Sequence, residues 1–266
     1  MSSASWLDAH FEAMRPEYED ALRWVGIQRD WHVLDAGCGS GGYLPLLAEL
    51  VGQNGRVNAL DLAPENVQVV QTRIDQNEFN APITVRQGNL LKLPYDDATF
   101  DVVWCANTVQ YLTDGELDAA LQEFKRVTKP GGLVAIKDFD ASGWAWQPLP
   151  TFLFAKALIA YFSMHAPDAI MALRTAKLAS WMQRADLHHV CQQHFSMVRT
   201  APLRPVERQY IVSFLKYWGN YLQDTDLPTD NKQFWAKLAD TDAPNHLIDQ
   251  PDFAYREIQI VFVGRV

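Results

Sequence analysis

The chain has 266 residues, 48% hydrophobic and 21% charged, with a formal net charge of −9. That length suits one large domain or a domain with a lid, and the composition excludes a disordered or fibrous chain. The negative balance, with no run of Lys or Arg, disfavours a dedicated nucleic-acid binder, whose partner is a dense line of phosphates.

Cys38, Cys105 and Cys191 lie far apart and form no CxxC pair. This speaks against a thiolate metal site or a disulfide framework and fits a reducing, cytoplasmic setting. The first 20 residues lack the apolar core of a secretory signal. The most apolar stretch, Phe152 to Phe162, is interrupted by Lys156 and is shorter than the roughly 20 residues that span a bilayer.

Apolar residues at helical spacing from Trp6 to Val25 predict one or two helices. Trp31 to Asp35 reads as a first strand that runs into the turn AGCGSGG, and Tyr43 to Leu50 as the next helix. Further strands are expected at Arg56 to Asp61, Ile83 to Arg86, Phe100 to Cys105 and Leu133 to Lys137, with helices opening at Pro64 and spanning Glu116 to Val127. Lys129-Pro130-Gly131-Gly132 reads as a turn. After Asp140 helices dominate: Trp144 to Phe162, Thr175 to Leu187, Arg208 to Leu222 and Asn231 to Ala239, before a final strand in REIQIVFVGRV.

Alternating strands and helices predict an α/β, doubly wound, mostly parallel sheet whose ligand edge lies at the strand C-termini. The expected organisation is an N-terminal helical segment over 1–30, a nucleotide-binding core over 31–140, helical lid insertions with remaining sheet elements over 141–255, and a last strand over 256–266 that returns to the sheet.

The glycine turn carries the chemistry. Gly37, Gly39 and Gly42 satisfy G-x-G-x-x-G, and such a turn exposes backbone N–H groups at a helix start. Asp61 follows Gly41 by 20 residues, a spacing that suits a ribose-binding carboxylate. Asp35 lies two residues before Gly37. A carboxylate there repels a pyrophosphate and attracts an ammonium or a sulfonium. The ligand expected from these residues is a nucleoside with a cationic tail.

VLDAGCGSGG, the Asp61 of ALDLAPENV, GNLLKLPYDDATFDVVWCANTVQYL and VTKPGGLVAIKD, in that order, resemble the class I S-adenosylmethionine (SAM)-dependent methyltransferases of small-molecule type. The resemblance implies a seven-stranded Rossmann-like sheet and SAM as cofactor. It implies that Asp35, Gly37 and Gly39, with Ser40 on the same turn, line the methionine end. It gives the ribose to Asp61, the adenine face to Leu62 and the adenine edge to Asn89 and Leu90. Asn107 would sit beside the methionine group, and Arg15 near its carboxylate. Many family members have Asp where this chain has Asn89; the amide retains an acceptor oxygen.

Methyl transfer from a sulfonium mainly requires alignment and exclusion of water, with a base only if the acceptor must lose a proton. His165 and Asp138 are the candidate bases, since both follow the fifth strand; Asp140 is more readily a turn acid. Tyr111, Trp144, Phe162 and Tyr217 are candidates for an aromatic wall around a small, largely apolar acceptor. His188, His189 and His194 lack the HExxH arrangement and read as structural. No metal, nucleic acid or membrane is expected as a partner. The competing readings are a dinucleotide-dependent oxidoreductase and a SAM-binding regulator without catalysis.

Overall fold

A computed structural model describes residues 4–165 and 174–266, the side chains of Leu158 and of 161–165 excepted. Its centre is one seven-stranded sheet built from β1 (His32–Ala36), β2 (Arg56–Asp61), β3 (Ile83–Gln87), β4 (Phe100–Ala106), β5 (Thr128–Gln147), β6 (His188–Thr200) and β7 (Ala254–Arg265). The order across the sheet is β3-β2-β1-β4-β5-β7-β6. β1 to β5 pair in parallel, and β7 runs antiparallel between β5 and β6.

Parallel neighbours require crossover connections. Helices α2 (Leu44–Val51), α3 (Pro64–Gln76) and α4 (Asp114–Val127) provide three of them. Both faces of the sheet are thereby covered, and its side chains alternate between two cores. Val33, Val57, Ala59, Val102 and Trp104 pack on one side; Leu34, Leu60, Val103, Cys105 and Ile136 pack on the other. This is the period of two expected of strands buried on both faces. The strand order reverses between β1 and β4, which opens a crevice beyond their C-termini.

Helix α1 (Ala4–Trp24) is continuous through Pro16 and lies across that crevice. Arg199 of β6, nearly buried, anchors it: its guanidinium donates to both carboxylate oxygens of Glu17 at 2.7 and 2.6 Å and to the Ala13 carbonyl at 2.9 Å. Glu207, on α7 (Pro205–Tyr221), stands 3.0 Å from the same Arg199. At the other end of α1, Asp8 accepts from Arg73 at 2.5 Å and from the Ser40 hydroxyl at 2.7 Å.

The second half departs from the sequence expectation in three places. β5 continues to Gln147, so Trp144 lies on a strand. The cause is non-local: after a register shift, Ala145, Trp146 and Gln147 pair with Arg256, Tyr255 and Ala254, and strand pairing overrides the local helical spacing of the aromatics. The following helix, α5 (Phe152–His165), therefore begins later than expected. β6 has no apolar run to announce it. It is an outer strand whose His188, His189, Cys191 and His194 are exposed, and it exists because β7 supplies its ladder. The final strand also begins at Ala254, two residues before the predicted boundary.

The remaining helices are α6 (Leu178–Arg184), after a single turn at Thr175–Lys177, and α8 (Thr229–Ala239). Trp144 is buried with its ring against Phe139, Trp146, Phe154, Phe214 and Trp218. It is core rather than pocket wall. Trp144→Ala should cost about 3–5 kcal/mol in urea unfolding, the range for truncating a buried aromatic, and should leave the affinity of the folded protein for its cofactor unchanged.

Candidate active site: a cleft at the strand ends

The crevice is a cleft of about 630 Å³. Its walls come from four segments: Trp6, Leu7, His10, Phe11 and Tyr18 of α1; Asp35 and the turn from Gly37 to Tyr43; Asp61 to Asn66 after β2; and Ala106 to Tyr111 after β4.

The turn after β1 folds as its glycines dictate. Gly37 has φ of +80°, and a Cβ there would stand 2.6 Å from the Thr108 hydroxyl. Only glycine combines that conformation with that approach. The Gly37 and Cys38 N–H groups donate to the Leu60 carbonyl at 2.8 and 3.0 Å, which fixes the turn to β2. Asp61 completes the tie: its carboxylate accepts from the Gly39 N–H at 2.8 Å, the Ala63 N–H at 2.9 Å and the Asn66 amide at 3.1 Å. Asp61 thus shapes the turn and still borders the cleft. Leu62 beside it is 66% exposed, an apolar face open to a ligand.

Asp35 is only 1% exposed, and its buried Oδ2 has no hydrogen-bond partner among the described residues. Burial first, and the charge of Asp61 second, push its carboxyl up to about 8. A buried carboxyl oxygen without a partner is costly, and here it borders a cleft. A cationic ligand would supply the missing charge and donors. The orphaned Asp35 oxygen, the turn that only Gly37 can make, and the Asp61–Leu62 pair are the features that SAM requires: a site for an ammonium, an approachable backbone, and a carboxylate beside an apolar face.

Asn107 has φ of +53°. Its N–H donates to the Lys137 carbonyl, and its side-chain oxygen accepts from the Lys137 ammonium at 2.6 Å. Ser40 borders the cleft through the turn and is nearly buried.

Other expected site residues are placed elsewhere. Arg15 is outside the cleft. Its guanidinium pairs with Glu12 and Glu19 on the outer face of α1, in a separate depression of about 720 Å³. Helix phase is the reason, since His10, Tyr18 and the inward face of α1 occupy the cleft side. Asn89 is exposed and Leu90 is buried in the second core, and neither borders the cleft. The Asn89 side chain instead accepts from the Leu91 N–H at 2.9 Å within its own turn.

Asp138 is fully buried and is no free base. One oxygen accepts from the Gln110 N–H at 2.8 Å and the other from the Phe139 N–H at 2.9 Å, so it fixes the loop after β4. Tyr111 borders the cleft and is 52% exposed. Tyr217 stacks on Tyr221 and is not part of the lining. The side chains of Phe162 and His165 lie outside the described residues.

Sequence reasoning missed the polar cluster under α1. Lys137, fully buried on β5, donates to Asn107 at 2.6 Å and to Gln259 at 2.9 Å, with its ammonium 3.8 Å from the centre of the Tyr18 ring. Burial pushes its amine down, to about 7. His10 meets Tyr18 at 2.8 Å and stacks on Tyr210. Glu257 accepts from Tyr255 and Gln259. The only hint in the sequence was polar residues, Lys137, Glu257 and Gln259, set within otherwise apolar strands.

Residues 33–132 match a family model described as a methyltransferase domain. A chloroplastic 2-phytyl-1,4-beta-naphthoquinone methyltransferase of Arabidopsis thaliana is 36% identical over 135 residues, 50% of each chain. A demethylmenaquinone methyltransferase of Bacillus subtilis is 28% identical over 180 residues, 66% of this chain and 71% of that one. The chain spans about half the length of the first of these relatives. A solved SAM-dependent methyltransferase from Aquifex aeolicus shares the fold with a TM-score of 0.54 and 18% identity, covering 97% of this chain and 98% of that one. Residues 33–132 thus resemble a methyltransferase domain, set in a fold shared with a solved SAM-dependent methyltransferase. The cleft described above has the residue types that SAM would need.

Asp35 carries a testable consequence. Its folded value lies above the ordinary carboxylate range, so the folded chain binds the extra proton and loses stability as pH rises toward about 8. Asp35→Asn should remove that fall. In thermal melts without ligand the variant should be the more stable protein above about pH 8, while losing affinity for SAM.

Proposed function

We propose that this protein transfers the methyl group of SAM to a small, largely apolar acceptor seated between α1 and the loop after β4. The observation that carries the reading is the Asp35 carboxyl, buried beside the glycine turn with its Oδ2 unpartnered and bordering the cleft. A pyrophosphate on that turn would add negative charge beside the Asp35 and Asp61 carboxyls, which a cation answers and an anion does not, and this disfavours the dinucleotide oxidoreductase. The regulator without catalysis has no observation in its favour.

When bound, SAM supplies an activated methyl group. The chain's own residues do the rest by position. Asp35 holds the amino group, Asp61 accepts the ribose hydroxyls, and Leu62 packs against the base. Gly37, Gly39 and Ser40 provide the backbone approach, and Asn107 fixes the loop beyond β4. Trp6, Leu7, Phe11 and Tyr111 wall the acceptor and exclude water, so alignment of the reacting atoms carries the rate.

The apolar and aromatic character of those walls favours an aromatic acceptor, and two relatives are named for naphthoquinone and menaquinone precursors. A quinone or quinol nucleus is therefore the acceptor class we infer. The net charge of −9 disfavours a nucleic acid as substrate. No helix among the described residues is long and apolar enough to cross a membrane, and the three free cysteines fit a reaction carried out in the cytoplasm.

Calorimetric titration with SAM, S-adenosylhomocysteine and NAD tests the reading. Binding of the first two without NAD supports it; NAD binding with SAM silent overturns it. Asp61→Ala should weaken SAM binding about ten- to a hundredfold, the value of one charge-assisted hydrogen bond. Unchanged affinity would remove Asp61 from the ribose site.

A further inference from the structure

The cluster beneath α1 forms a chain of hydrogen bonds whose direction can be worked out from its donors. An ammonium has donors and no acceptor. The atoms that face Lys137 at 2.6 and 2.9 Å are therefore the side-chain oxygens of Asn107 and Gln259. That fixes both amides, and their nitrogens point at Tyr18, with Asn107 Nδ2 3.3 Å and Gln259 Nε2 3.4 Å from the phenolic oxygen. Both amide nitrogens can only donate, so Tyr18 accepts from them. Its own hydrogen is left for its remaining neighbour, His10 Nε2, at 2.8 Å.

A ring nitrogen that accepts carries no proton, which puts the proton of the neutral imidazole on Nδ1. Glu257 does not reverse this assignment. It stands 3.9 Å from His10 Nε2, beyond hydrogen-bond reach, so it meets the ring through charge alone, and its hydrogen bonds come from Tyr255 and Gln259. His10 Nδ1 bonds to no described residue, and His10 borders the cleft with Trp6, Leu7 and Tyr111. Stacking on Tyr210, with ring centres 4.7 Å apart and planes 8° apart, fixes the ring's plane.

We propose that His10 is held as its Nδ1–H tautomer by the one-way chain Lys137, Asn107 and Gln259, Tyr18, and presents that N–H to an oxygen of the acceptor in the cleft. The chain starts from the Lys137 N–H donors, so each bond polarises the next toward the cleft. The fitting acceptor oxygen is an electron-rich one, a carbonyl or an ionised hydroxyl on an aromatic ring. His10 is then a specificity-determining residue rather than a base. The inference rests on the methyltransferase reading for what occupies the cleft, but the tautomer does not depend on it.

Two measurements on the full chain test it. The first is long-range proton–nitrogen correlation on protein labelled with ¹⁵N-histidine, with the His10 signals identified by their loss in His10→Phe. The expected pattern is an Nδ1–H ring in the native chain and a switch to Nε2–H in Tyr18→Phe, where the donor to Nε2 is gone. An Nε2–H or doubly protonated ring in the native chain overturns the proposal.

The second is calorimetry in the presence of S-adenosylhomocysteine with a matched pair of probes, ionised dichloronaphthol and dichloronaphthalene. His10→Phe keeps an aromatic ring to stack on Tyr210 and removes the N–H. It should lose affinity for the naphtholate about tenfold or more and bind the naphthalene and S-adenosylhomocysteine as the native chain does. Equal losses for both probes, or no naphtholate binding by the native chain with S-adenosylhomocysteine bound, overturn the proposal. Failure to bind S-adenosylhomocysteine at all overturns the methyltransferase reading itself, and the tautomer measurement then stands apart from it.

Discussion

A carboxyl oxygen buried without a hydrogen-bond partner is among the more expensive things a fold can keep, and this sheet keeps one at the end of its first strand. Asp35 pairs through its backbone with β2 and β4, so its side chain is buried and meets only the cleft. Everything around it leaves the charge unanswered. Asp61, whose charge adds to the upward push on Asp35, is of the same sign and is itself satisfied by Gly39, Ala63 and Asn66. In the function proposed above, the ammonium of SAM recovers that cost, and binding then stabilises the fold.

The second requirement is a roof. α1 has to lie over the strand ends, and nothing in a parallel sheet holds a helix there. The chain achieves it with charge at both ends of the helix: Asp8 with Arg73 and Ser40 near the glycine turn, and Glu17 with Arg199 on β6. Arg199 is buried and meets Glu17 in bidentate fashion, a geometry that lysine does not reproduce. Removing the half-buried Glu17 would leave the buried Arg199 charge short of a partner, so the position of α1 is well defined. The same helix brings His10 and Tyr18 to the cleft, and roof and chemistry therefore depend on one set of anchors.

The polar cluster and the aromatic core divide the second half of the chain between them. Trp144, Trp146, Phe154, Phe214 and Trp218 fill the space between the extended β5 and helices α5 and α7, and Lys137, Gln259 and Glu257 sit where β5 and β7 approach α1. Buried polar groups at such a density persist when each finds its partner. Here they do, and the chain of partners ends at the cleft.

Local pattern was enough for the nucleotide-binding half. Hydrophobic runs, Pro64 and the glycine turn are short-range signals, and they located five strands, the ligand edge, and the roles open to Asp35, Gly37, Gly39 and Asp61. Leu62 and Asn107 are implied by the resemblance, and Tyr111 by its place past the fourth strand; all three border the cleft. Tertiary structure alone decided the rest. β6 is polar and forms because β7 offers a ladder; Trp144 belongs to a strand because residues more than a hundred positions away pair beside it. Arg15 turned outward and His10 inward because helix rotation is set by the partners of Glu17 and Asp8, which lie up to 182 residues away. Those contacts leave no periodic trace in the sequence. They are made by single side chains meeting across the fold, and only the packed molecule brings them together.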